Sequence, residues 1–284
     1  MIEYVLLDKN KVDVYKDYLT PEAYSRRNEA SVFYYGAICE EKIVGVAAFV
    51  ADKESELLSV SVSPKWQKQE IGSELVDGIV DMLKECGSTM LETILFVQDD
   101  EEEGVDQFLW RCGFNEEEEY LVGGFTLKDI KNNDVVKKII DKKLPEQVKS
   151  LSQVSDTEAR DFGRGLMKKG VYSGWETGKF NEHLSSVYIE RGRISACLLF
   201  SNEGDDLNLE FAYVDPKNNN RLTLLYLIVN SILKAESEYA EDTEISTLAM
   251  NETSEKILKN LVGDNLKTDR LIRYTIRFAK KSSQ

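Results

Sequence analysis

The chain has 284 residues, of which 42% are hydrophobic and 31% charged; this suits two domains of about 100–150 residues, each with its own core. It contains no run of about 18 apolar residues, so no membrane span is expected. The net charge of −15 is unevenly placed: residues 1–130 carry 12 Lys/Arg against 28 Asp/Glu, and residues 131–284 carry 24 against 23. An acidic half repels nucleic acid and draws cations and amines, unless it serves solubility alone.

Cys39, Cys86, Cys112 and Cys197 include no Cys-x-x-Cys pair, and His183 is the one histidine. A zinc site and Ser-His-Asp or Cys-His hydrolase chemistry are therefore not expected. Reduced thiols, and an N-terminus that reads as a first strand with no basic segment or cleavage site, predict a cytoplasmic protein.

In chain order, residues 2–7 read as a strand and Val12 to Tyr18 as a short helix. Thr20-Pro21-Glu22 is a helix start, with a Thr cap, Pro at the first position and an acid in the first turn. Strands follow at Phe33–Glu40, Ile43–Ala51 and Glu56–Val62, joined by tight turns as an antiparallel meander. After Pro64 a polar loop leads into a helix with Ile71, Leu75, Ile79 and Leu83 on one face, ended by Gly87. Met90–Val97 is a strand, Val105–Cys112 a short helix closed by Gly113-Phe114, and Tyr120–Leu127 a strand preceded by the acidic run Glu116–Glu119. Residues 131–149 read as a packed amphipathic helical linker. The second half then repeats the plan: a helix from Asp156, strands 185–190, 194–200 and 207–214, a helix 222–239, a strand 245–250, a helix 254–261 and a strand 271–278.

The repeat has fixed anchors. Val62-x-Pro64 recurs as Val214-x-Pro216 at an offset of 152, Gly113 as Gly263 at 150, and Ile43 as Ile194 at 151. Shared offset and shared element order predict a duplicated domain.

The stretch Val60 to Leu75 carries the chemistry. A strand, a Pro break, a polar loop and a helix start form a phosphate-binding layout, because the first turn of a helix has unpaired N–H groups and partial positive charge. The loop Val62-x-Pro64-x-x-Gln67-x-x-Glu70-x-Gly72 resembles the Val-x-Pro-x-x-Arg/Gln-x-x-Gly-x-Gly/Ala loop of the GNAT superfamily of N-acetyltransferases. Phe108-Leu109-Trp110-Arg111-Cys112-Gly113-Phe114 resembles that family's final helix and Gly-Phe turn. The resemblance covers about residues 2–127 and, more weakly, 150–278.

The resemblance implies an α/β fold (mixed sheet) with two tandem GNAT domains: residues 1–130, a linker at 131–149, and a degenerate copy at 150–284. It implies acetyl-CoA as co-substrate and no metal. Val60, Ser61 and Val62 would pair with the pantetheine arm and polarise the thioester carbonyl; Gln67, Lys68, Gln69, Glu70, Ile71, Gly72 and Ser73 would meet the pyrophosphate. The acceptor would be a cationic small molecule, a polyamine or a lysine. A carboxylate would take its proton, with Glu56 the first candidate on a parity shared with Leu58, Val60 and Val62, and Asp99 and Asp100 the second.

Several positions depart from the family. Glu70 replaces a loop glycine, Leu109 replaces the tyrosine that protonates the leaving thiolate, and the family's asparagine falls near Glu102. The second loop, Val214 to Leu224, has no glycine, although Arg221 and Asn251 stand near expected contacts. These departures favour the alternative of a degenerate tandem protein that binds a ligand or partner. Trp66 reads as a cap on the loop or as core filling, and Trp175 as lining of an interdomain surface or as ordinary packing.

Overall fold

The computed structural model describes residues 1–97, 104–172, 179–204, 206–218 and 220–278. The chain divides into two compact units: unit 1 runs to Glu119 and resumes at Arg270, and unit 2 spans Tyr120–Asp269.

Unit 1 opens with β1 (Ile2–Leu6), α1 (Val12–Tyr15), α2 (Pro21–Ser25), β2 (Val32–Cys39), β3 (Lys42–Val50) and β4 (Glu54–Val62). Then come α3 (Ile71–Cys86), β5 (Met90–Val97), α4 (Val105–Arg111) and the start of β6 (Asn115–Thr126). Helix α2 begins where the sequence places it, with the Thr20 hydroxyl accepting from the Ala23 N–H at 3.2 Å. Helix α3 buries Ile71, Leu75, Val76, Ile79, Val80 and Leu83 along one stripe and stops at Gly87, whose φ of 85° suits glycine. That stripe packs on one face of the sheet with Leu57, Leu91, Leu109 and Tyr274. The other face carries a separate cluster of Val12, Tyr15, Ala23, Val32, Tyr34 and Val50 under α1 and α2.

The remaining elements are α5 (Leu127–Asn132), α6 (Asp134–Ile140), β7 (Val148–Ser150), α7 (Asp156–Lys168), β8 (Ser186–Glu190), β9 (Arg193–Glu203), β10 (Asp206–Val214), α8 (Thr223–Ala235), β11 (Glu244–Ala249), α9 (Glu252–Val262) and β12 (Lys267–Arg277). The repeat anchors fall on equivalent places: Val62 and Val214 end β4 and β10, and Gly113 and Gly263 follow α4 and α9 with positive φ.

The division differs from that expected at 130 and 150. In unit 1 the strand order is β1-β2-β3-β4-β5-β12, and in unit 2 it is β6-β11-β10-β9-β8-β7. The last strand of each sequence repeat thus completes the sheet of the other: β12 pairs antiparallel with β5 from Arg270↔Val97 to Arg277↔Met90, and β6 pairs with β11 from Thr126↔Glu244 to Leu121↔Ala249. The expected linker belongs to unit 2, where Val136 and Ile139 enter the core. A repeat defines two equivalent strands but not which sheet each joins.

The acidic run Glu116–Glu119 lies inside β6, not ahead of it. Its charges are matched by arginines of β12. Arg277 holds Glu117 through two bonds of 2.8 Å, and Arg273 reaches Glu118 at 3.1 Å. The Arg277 guanidinium holds the Glu117 carboxyl below the usual carboxylate range. A strand whose partners are charged need not show apolar alternation.

Candidate active site

Strands β4 and β5 run parallel, and their pairing spans Glu54–Glu56 with Met90–Glu92. Beyond it β4 continues to Val62 and β5 to Val97, bridged near the fork by the Thr93 hydroxyl, which donates to the Leu57 carbonyl at 2.9 Å. A parallel pair that opens in this way leaves inward-facing main-chain groups for a third, extended partner.

A β-bulge at Leu58 decides which side chains face which way, since the register passes from Ala48↔Ser59 to Phe49↔Leu57. Directly paired residues share a face. Val60, opposite Ala47, lies on the α3 face, whereas Glu56, opposite Val50, and Ser59, opposite Ala48, lie on the α1/α2 face. The parity expected for Glu56 is thereby corrected: it shares a face with Leu58 but not with Val60 and Val62. Its carboxylate accepts from Arg26 Nη1 at 2.7 Å, and that ion pair is partly exposed. Glu56 and Glu29 together strengthen the hold of Arg26 on its proton.

The same face holds residues that sequence reasoning missed. Glu92 is the β5 partner of Glu56, with Arg273 3.9 Å away. Ile94 and Phe96 follow it at strand spacing and are exposed. The Ser59 and Tyr34 hydroxyls are buried and have no hydrogen-bond partner among the described residues. The alternation of Glu92, Ile94 and Phe96 was the available signal; the orphaned hydroxyls gave none.

The loop after β4 is braced by its own side chains. Gln67 donates from Nε2 to the Val62 carbonyl at 3.0 Å, and Gln69 to the Lys65 carbonyl at 3.1 Å. Both amides are thus engaged within the loop. Lys68 and Glu70 adopt left-handed backbone at φ 60° and 66°. Glu70 is the N-cap of α3 and makes no side-chain cap. The N–H groups of Ile71, Gly72 and Ser73 therefore head a 16-residue helix with no capping side chain, at its positive end. A Cβ on Gly72 would come 3.0 Å from the Phe108 ring, so glycine here admits α4 as well as any ligand. Leu109 is core, which accounts for a residue other than tyrosine at that position. Trp66 is partly buried against the same core.

Unit 2 repeats the fork. Strand β10 pairs with β11 at Leu207–Leu209 and Ile245–Thr247, a bulge follows, and the Thr247 hydroxyl donates to the Leu209 carbonyl at 2.9 Å. Its loop differs. Asn218 Oδ1 accepts from the Asn220 N–H at 2.9 Å, Asn220 Oδ1 from the Leu222 N–H at 3.0 Å, and the Asn220 carbonyl from the Thr223 N–H at 3.1 Å. Three amides at the mouth of α8 are thus engaged inside the loop, although α8, like α3, has no side-chain cap. Asn251 caps α9 by accepting from the Ser254 N–H.

Asp99, Asp100, Glu102 and Trp175 lie outside the described residues. His183 is 3.3 Å from Glu238 with both side chains exposed. Among the described residues no three His, Cys, Asp or Glu side chains converge as a metal site, and no helix is long and apolar enough to cross a membrane.

Residues 4–114 match the acetyltransferase (GNAT) family. No curated protein matches the sequence significantly. Among solved structures the chain is similar to a tandem GNAT protein from the clavulanic acid biosynthesis pathway, at 12% identity and a TM-score of 0.63, covering 99% of this chain and 100% of that one. It is also similar to a GCN5-related N-acetyltransferase from Sphaerobacter thermophilus, at 11% identity and a TM-score of 0.58, with 97% and 95% covered. A third is a GCN5-related glucosamine N-acetyltransferase region of a fungal multi-domain β-N-acetylglucosaminidase, at 14% identity and a TM-score of 0.61, with 97% of this chain and 38% of that one covered. The chain thus shares its fold with tandem GNAT proteins along nearly its whole length, and residues 4–114 match the GNAT acetyltransferase family.

Proposed function

We propose that unit 1 transfers an acetyl group from acetyl-CoA to an amine. The observation that carries this reading is the opening of β4 from β5 just before an uncapped α3 N-terminus. Acetyl-CoA would supply the activated acyl group as a thioester. Val60, Ser61 and Val62 offer main chain along the fork, and the amides of Ile71, Gly72 and Ser73 offer donors for phosphate. Lys65 and Lys68 offset the Glu70 carboxylate.

A protonated amine has a pKa near 10 and must lose its proton before attack. Glu56, or Glu92 beside it, receives that proton directly or through water. The acidic residues favour a cationic acceptor, either a small molecule, a polyamine or a lysine. Exposed Ile94 and Phe96 favour one with an apolar portion next to its amine. Release of free thiol from acetyl-CoA, followed across a panel of such amines, is the direct assay. Turnover with at least one is expected; no thiol release across the panel would overturn the transfer reading.

A second reading, a tandem protein that binds without transferring, draws on the left-handed Glu70 at the helix mouth and on Leu109 in the core. Glu70→Gly separates the two uses of the loop. It relieves left-handed backbone at a net gain of about 0.5–1 kcal/mol, after the greater freedom of unfolded glycine is subtracted. It also removes a carboxylate from the phosphate position, where like charges about 4 Å apart repel by roughly 1–4 kcal/mol. Calorimetric titration is expected to show several-fold tighter acetyl-CoA binding. Unchanged affinity would mean that the loop does not hold the phosphates.

A further inference from the structure

Unit 2 holds a cavity of about 570 Å³ at the β10/β11 fork, between α8 and α9. That volume lies within the range of about 300–1,000 Å³ typical of small-molecule pockets. Its walls are nearly all apolar, and Glu210 is the one charged residue among the described residues lining it.

Most of its polar groups are already spent. The Glu210 carboxylate accepts from Ser201 at 2.7 Å and from Asn208 at 3.2 Å and pairs with Lys179 at 3.4 Å. The Ser231 hydroxyl donates to the Leu184 carbonyl, and the Thr247 hydroxyl to that of Leu209. An occupant therefore finds few partners for polar atoms and much apolar surface. Val171, Leu248, Met250 and Ile257 line the cavity and are themselves exposed, at 40–64% of their surface. Clustered exposed apolar side chains around a hollow mark a place where apolar surface is covered by something else.

From this we infer that unit 2 binds the alkyl chain of a medium-chain fatty acyl group, its head directed to solvent, in a fork that no longer holds coenzyme phosphates. At about 30 Å³ per methylene-sized group, the share of one liquid water, the cavity has room for a dodecyl chain. The spent amides of the loop before α8 set coenzyme A apart from the chain itself. A free fatty acid and an acyl thioester share this chemistry and differ only in the head.

The test is equilibrium binding of octanoic, decanoic and dodecanoic acid to the full chain below their micelle concentrations, with dodecanoyl-CoA as the thioester arm. One-to-one binding is expected, tightening about three- to fourfold per added methylene. Excess acetyl-CoA should leave it unaffected, and Ile257→Asp, at an exposed position on the cavity wall, should weaken it at least tenfold. Tighter binding of dodecanoyl-CoA, still sensitive to Ile257→Asp, would assign the thioester as the source of the chain. No saturable binding of any probe, a flat chain-length series, competition by acetyl-CoA, or indifference to Ile257→Asp would each overturn the inference.

Discussion

A chain ending at residue 130 is expected to lose the cooperative unfolding transition of the full protein. The cut would fall at the expected domain boundary, yet it removes β12, which lies beside β5 and carries Ile272 and Tyr274 into the unit 1 core at 2% and 0% exposure. The Tyr274 hydroxyl also donates to Asp106 at 2.7 Å, fixing the start of α4 to the sheet. Deleting one large core side chain costs about 3–5 kcal/mol, and a whole domain is stable by only about 5–15 kcal/mol. Residues 1–119 joined to 270–284 through a short Gly/Ser linker restore the strand, and Glu119 and Arg270 already approach within 3.5 Å through their side chains. Urea unfolding followed by circular dichroism is expected to be cooperative for this chimera and featureless for 1–130. A cooperative transition in 1–130 would contradict the strand exchange.

Glu56→Gln is expected to lower kcat/KM for the amine by about 10²–10⁴-fold while leaving acetyl-CoA affinity within twofold. The first figure is the usual worth of a positioned general base; the second follows because Glu56 lies on the sheet face opposite to Val60. The ion pair with Arg26 gives Glu56 a competing structural use. Arg26→Met with Glu56 intact separates the two, since a purely structural Glu56 would make both variants equally slow. An unchanged rate in Glu56→Gln together with a large loss in Glu92→Gln would move the base to β5.

Much of the architecture was legible because each signal had one local cause. The cap at Thr20, the stripe of α3, the glycine after it and the duplicated Val-x-Pro turns all act within a few residues. The exchange of β6 and β12 was not legible, because pairing partners far apart in sequence are chosen by whole sheet edges. The arginines at 270, 273 and 277 and the acids at 116–119 held the clue, but only as a possible match of charge. At the site, the loop and the helix start after it were readable from the Val62-x-Pro64 turn. The face of Glu56 was not, since a single extra residue at Leu58 reverses the alternation. Glu92 and the Ser59 and Tyr34 hydroxyls matter only through cross-strand placement, which composition and spacing do not report.

The central claim, that the α3 mouth of unit 1 holds the phosphates of acetyl-CoA, is tested most directly by amide hydrogen exchange with and without the ligand. At a hundredfold excess over the dissociation constant, binding adds about 2.7 kcal/mol to opening of any amide it covers. The amides of Ile71, Gly72 and Ser73 are expected to exchange about a hundredfold more slowly in its presence, while those of Asn220, Leu222 and Thr223 stay unchanged. Protection at 220–223 with none at 71–73, or protection at neither, would contradict the assignment.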